Sequence, residues 1–234
     1  MAEEKCGLRE VGETSPPREC LLEPIPECFE AATLLSAAVD AHLSGHTHDA
    51  ARLIKAADLP AVREFTEAGW GAGCFKRHGF ISVPDAPSSL QLADRPKPRM
   101  PTPETRTAVL KRDGYHCRFC GLPVMPKGIR EKLRTAYPEA LGWGLTTASQ
   151  HAAFQCLWLQ FDHILPNSRG GTSDTENVVI TCAPCNFGRM EKTLAEARLA
   201  NPLSRPTPVR WDGFYSWDGL ERVNGYFRPQ SSSS

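Results

Sequence analysis

The chain has 234 residues, 41% hydrophobic and 23% charged, enough for one ordinary domain with a smaller companion and for a sizeable core. No stretch approaches the roughly 20 apolar residues of a membrane span. The N-terminal MAEEKCGLRE lacks the basic and hydrophobic regions of a signal peptide, so we expect a cytoplasmic protein whose thiols stay reduced. The net charge of zero hides a gradient: residues 1–100 hold 11 Lys and Arg against 15 Asp and Glu, residues 101–200 hold 12 against 9. A basic second half suits a polyanionic partner, although so small an excess carries little by itself.

Residues 1–26 are acidic and interrupted by Pro16, Pro17, Pro24 and Pro26, which predicts an irregular N-terminus. A helical unit is expected over 27–81. Phe29, Ala32, Leu35 and Val39 recur at helical steps until Ser44 and Gly45; Ala50, Leu53, Ile54 and Ala57 share a second face. A third run opens on Pro60 and stops near Gly69. Residues 82–103 carry six prolines and little periodicity, a semi-stiff linker at which we place the domain boundary. Thr102 followed by Pro103 reads as the cap of a helix running to Leu110, and a basic helix is expected around Gly128–Thr135. Phe154–Phe161 and Val178–Thr181 read as strands, and Asn186–Leu199 as a helix closed by Pro202. The second domain therefore spans 104–200 as strand, loop, strand and helix. An aromatic extension, 201–234, ends in a serine tail expected to be disordered. The overall class is α+β.

Two C-x-x-C pairs, Cys117/Cys120 and Cys182/Cys185, stand 61 residues apart. Paired knuckles of this spacing supply the soft tetrahedral site that zinc prefers, and four filled positions make its role structural. A redox pair or buried free thiols are the competing readings. Cys74 and Cys156 read as packing residues, and Cys6, Cys20 and Cys28 carry no such spacing. His42, His46 and His48 straddle the Ser44–Gly45 break and read as solvated rather than as a metal cluster.

Between the knuckles lies Phe161-Asp162-His163-Ile164-Leu165-Pro166, then Ser168-Arg169-Gly170-Gly171 and Asn177; Asn186 follows Cys185 directly. Adjacent carboxylate and imidazole groups at a strand end can act on one phosphate. His163, with an ordinary pKa of roughly 6.5, can take a proton from water, and the Asn177 carbonyl can hold its other ring nitrogen. Asp162 and the Asn186 side-chain oxygen are hard ligands for one divalent ion, magnesium or manganese. Arg106, Lys111, Arg112, Arg118, Lys127, Arg130, Lys132 and Arg134, with Arg169, Arg189 and Lys192, make either a phosphate track or, over 127–134, a solvated helix face.

The string D-H-I-x-P-x-S-x-G-G, the Asn fourteen residues after His163 and the C-x-x-C-N with Asn186 twenty-three after it resemble the HNH (His-Asn-His) endonuclease family. Arg112–Gly121 resembles that family's opening segment, and the resemblance covers about 104–198. It implies a zinc-stapled ββα-metal core that hydrolyses DNA phosphodiesters as an endonuclease or nickase with one catalytic ion. By position, His163 takes the role of general base, Asn177 of orienting residue, and Asp162 with Asn186 of metal pair. The family's final His is Asn186 here, and the segment between Gly121 and Asp162 is long. Relatives of this kind suggest a phage-defence or mobile-element setting. The helical unit resembles no family and is read as docking a protein partner or positioning the nuclease. A zinc module that binds nucleic acid without cutting is the alternative.

Overall fold

The computed structural model describes residues 16–71 and 73–226. Most of the acidic N-terminus, Cys6 and the serine tail lie outside them. Helix α1 (Pro26–Leu43) buries Ala31, Ala32, Leu35, Ala38, Val39 and His42, a stripe with helical repeat. It ends where Gly45 takes φ +80°, and α2 (Thr47–Ala56) then packs on it through Ala50 and Ile54. Helix α3 (Pro60–Trp70) starts on its proline and buries Val62, Phe65, Thr66 and Gly69; α4 (Cys74–His78) follows. The proline-rich stretch holds only a short 3-10 turn at Leu92–Asp94 before α5 (Pro103–Asp113), whose cap is Thr102 accepting from the Thr105 amide at 3.2 Å.

Helix α6 (Lys127–Ala136) matches the expected basic helix. Residues 154–156, expected to be extended, instead belong to α7 (Ala152–Cys156), all five of whose residues are buried. An aromatic and aliphatic run of that length fits a buried helix turn as well as a strand. The strands are β1 (Gln160–His163) and β2 (Val178–Thr181), antiparallel, with Asp162 opposite Val179 and His163 opposite Val178. The expected last helix is two pieces, α8 (Ala183–Arg189) and α9 (Leu194–Ala197), because Met190 adopts φ 54° and Thr193 with Glu196 forms a new capping box. Helix α10 (Val223–Tyr226) ends the described chain. Among the described residues no helix is long and apolar enough to cross a membrane.

The helical unit and the second half share one hydrophobic core running from Cys20 to Val223, so the linker does not separate two cores. Helix α3 packs on both α7 and α8. The approach is close at Gly69 and Gly188: a Cβ on Gly188 would sit 2.5 Å from the Gly69 carbonyl oxygen, and one on Gly69 would sit 2.8 Å from Pro184 Cβ. The long segment 122–153 fastens the two halves. Arg63 donates to the Thr147 and Gln150 carbonyls, His151 Nε2 meets the Ile54 carbonyl at 2.8 Å, and the Ala152 amide donates to Asp58. His42, expected in solvent, is buried with Nδ1 2.6 Å from the Tyr137 hydroxyl; His46 and His48 are exposed. The aromatic extension packs back, Trp211 stacking on Phe29 and Trp217 donating to the Val124 carbonyl.

Candidate active site and cysteine cluster

Cys182 stands at the N-cap of α8 and Cys185 lies in its first turn; the other knuckle, Cys117–Cys120, is joined to β2 by Arg118 N donating to Ile180 O at 2.8 Å. The ligand atoms of Cys117, Cys120, Cys182 and Cys185 all lie within 4.8 Å of one another and are buried. Cys120 and Cys182 sulfurs are 3.6 Å apart, against about 3.8 Å for two sulfurs at tetrahedral angles on zinc. Burial, then the neighbouring sulfurs, push the Cys182 thiol up to about 12 and hold Cys120 well above the ordinary range; for Cys185 hydrogen bonds with the other three, then burial, do the same. Cys117, despite its burial, is held well below it by hydrogen bonds from the other three. Four sulfurs this close, one of them favoured as thiolate by the other three, make a ready-formed tetrahedral donor set, so the cluster could hold zinc. All described cysteines are free. Cys28 and Cys156, both buried, face each other with sulfurs 4.0 Å apart, and Cys20 is buried beside the cluster, whose charge adds to burial in raising its thiol.

Strand β1 ends at the site. Asp162 points inward and is buried, while His163 is half-buried on the other side of the strand. The Asp162 Oδ1 accepts from Arg189 Nη2 at 2.6 Å; its Oδ2 is buried without a hydrogen-bond partner among the described residues. Burial raises the Asp162 carboxyl above its ordinary value and Arg189 pulls it only partway back. Arg189, 1% exposed, also donates to the backbone of His163, Ile164 and Lys192. It is thus a structural cation at the heart of the site, not part of a surface track.

Asn177 does not hold the His163 ring. Its Oδ1 accepts from Leu165 N at 2.8 Å, and its Nδ2 donates to the carbonyls of Leu165 and Thr172. The glycine loop leaves those backbone groups without sheet partners, and a carboxamide satisfies donors and acceptors together. Gly171 is required there, since a Cβ would fall 1.7 Å from the Leu165 oxygen.

The ring partner is Ser173, with Oγ 2.8 Å from His163 Nε2. That hydroxyl also reaches the Pro98 and Arg99 carbonyls at 2.8 and 3.0 Å. Two carbonyls facing Oγ favour the arrangement in which the serine proton goes to one of them and Oγ accepts from the ring. This assigns the Nε2–H tautomer to His163 and leaves the Nδ1 lone pair as the proton acceptor. Burial, then the charges of Arg189 and Arg99, hold the imidazole below its ordinary pKa, which favours the neutral base.

Asn186 Nδ2 lies 3.4 Å from Gln160 Oε1. Asp162, His163 and Asn186 line one cleft of about 1130 Å³. Its cations are Arg95, Arg99, Arg106 and Lys127, so only two come from the expected track. Most of the others are engaged elsewhere: Arg112 with Asp113, Arg118 with Pro202, Arg205 and Thr207, Arg130 with Glu131 and the Trp143 ring at 3.7 Å, Arg169 and Lys192 with Glu196. Arg95 and Arg99 belong to the proline-rich stretch, which lies on the site instead of hanging free: Leu90 N donates to Ser168 O, and Asn167 Nδ2 to Pro96 O.

The cleft thus brings together a buried carboxylate, an imidazole, a side-chain amide and four cations. Residues 154–199 match the family model of the HNH endonucleases, the segment that carries β1, the glycine loop, β2 and α8. No curated protein and no solved structure matches the chain.

Proposed function

We propose that this chain is a metal-dependent DNA endonuclease or nickase, with β1, β2 and α8 as a ββα-metal core and the four cysteines as a structural zinc site. The observation that carries the reading is the convergence of Asp162, His163 and Asn186 on one cation-lined cleft. His163 takes the proton of the attacking water at Nδ1, with Ser173 fixing the ring. Asn177 acts at one remove, pinning the loop that follows the base. The unpartnered Asp162 Oδ2 and the Asn186 carbonyl oxygen are hard donors that fit magnesium or manganese. When bound, such an ion would neutralise charge on a phosphate oxygen and on the departing 3′-oxygen. Arg95, Arg99, Arg106 and Lys127 bind flanking phosphates. The reduced thiols fit a cytoplasmic protein; a phage-defence or mobile-element setting rests on family resemblance alone.

The Asp162–Arg189 ion pair favours one second reading, a zinc module that binds nucleic acid without cutting, because a guanidinium already compensates the carboxylate. Supercoiled plasmid with magnesium separates the two. The wild type is expected to yield nicked or linear product, and His163→Ala to lose about 10²–10⁴-fold in rate with its zinc retained. Asn186→Ala should lose most activity, and Asn186→His should regain part with a shift toward manganese or nickel. Binding without any cleavage by the zinc-loaded wild type would establish the second reading.

A further inference from the structure

The cleft around the site is not lined by charge alone. Trp70 ends α3, Trp158 precedes β1, and Phe187 follows Asn186 on α8. The Phe187 ring stands edge-on to Trp70 with centroids 5.3 Å apart, and tilted to Trp158 at 6.0 Å. All three line the cleft that holds Asp162 and His163. Phe187 is 38% exposed and the adjoining Met190 is 52% exposed, so this apolar surface is open to solvent.

A duplex turns phosphates and sugars toward a protein cleft and keeps the faces of its bases stacked inside. Exposed aromatic rings gain little from such a surface, whereas an unpaired base offers a π-face to stack on. The same cleft supplies Arg95, Arg99, Arg106 and Lys127 against one exposed carboxylate, Glu191, since Asp162 is paired with Arg189. Cations for a backbone beside aromatics for bases are the two components of a single-strand binding groove. We propose that the cleft takes a DNA strand carrying an unpaired nucleotide next to the scissile phosphate, its base stacked on the exposed Phe187 ring, which Trp70 and Trp158 flank and hold in place. This deepens the nuclease reading and rests on it. It also gives the helical unit a part in the site, because the Gly69–Gly188 approach sets Trp70 against Phe187.

The test uses the full chain with His163→Ala, which binds without cutting, and a fluorescein-labelled oligonucleotide offered single-stranded or as a blunt duplex, with magnesium. The single strand is expected to bind at least about tenfold more tightly than the duplex and to quench tryptophan fluorescence. Phe187→Leu keeps apolar bulk but removes the ring face. It should weaken single-strand binding about tenfold with an unchanged melting temperature. Trp70→Leu should do the same and lose part of the quenching. Equal or tighter binding of the duplex overturns the proposal, as does single-strand affinity unchanged in both variants. If the wild type cuts plasmid DNA while the single strand goes unbound, this inference falls and the nuclease reading stands. If no DNA is bound or cut, both fall.

Discussion

Replacing Arg189 with methionine should be the most damaging single change near the site that leaves every proposed catalytic group in place. Methionine keeps most of the apolar stem, so the loss is the guanidinium, which is 1% exposed and bonded to Asp162, His163, Ile164 and Lys192. The Asp162 carboxylate is then left buried without its cation and without the hydrogen bond to Oδ1. Breaking one side of a buried ion pair costs about 3–5 kcal/mol. At about 2–4 °C per kcal/mol for a chain of this size, the melting temperature should fall by about 6–20 °C. The deficit should narrow in acid. Asp162 already has a raised pKa and loses its only cation in the variant. A carboxyl raised above its unfolded value contributes stability below the unfolded pKa, and that contribution is lost as pH climbs through the raised value. Magnesium should stabilise the variant more than the wild type, because it now competes with no guanidinium for Asp162. Thermal unfolding at several pH values, with and without magnesium and with zinc retained, reads all three effects. A variant within about 1 kcal/mol of wild type, with the same magnesium response, would refute both the structural role of the pair and Asp162 as a metal ligand.

Cys182→Ser should lose the metal and unfold the β2–α8 region, since zinc binding and folding are coupled; elemental analysis finding no zinc in fresh wild type would contradict this. Asn177→Ala should cost about 1–3 kcal/mol, because Leu165 and Thr172 lose their side-chain partner. Full stability with lost cleavage would instead return Asn177 to ring orientation. A fragment starting at Pro98 should be poorly folded, because α7 and α8 lose the cover of α3. A soluble, zinc-loaded and active fragment would show that the shared core is dispensable.

What the sequence made legible is chemistry held at fixed spacing. Each knuckle, the adjacent Asp162 and His163, and Asn186 directly after Cys185 are short local strings, and the structure brings the two knuckles together across 61 residues. The Thr102 cap and the β-branched 178–181 strand are equally local. The Asn177 assignment failed because ring chemistry was weighed without the unpaired backbone of Leu165, a demand visible only once the glycine loop is folded. Arg95, Arg99 and Ser173 were missed for a related reason: nothing periodic marks a proline-rich stretch that folds onto a loop seventy residues later. Two misses did carry a signal. Thr193-Leu194-Ala195-Glu196 spells a capping box inside the expected last helix, and His42 falls on the same stripe as Leu35 and Val39. The shared core was not legible, because glycines at 69 and 188 show no hydrophobic pattern yet permit a close approach of the two halves.

The cysteine cluster also sets an order of events during synthesis. Cys117 and Cys120 leave the ribosome first, and 61 residues must follow before Cys182. At about 5–20 residues per second, half a metal site waits for about 3–12 seconds. Asp162 and His163 emerge within that interval, but the helix carrying Asn186 begins only at the last knuckle. If the cluster holds zinc as proposed, capture of that ion and completion of the Asp162, His163 and Asn186 set fall close together, late in translation.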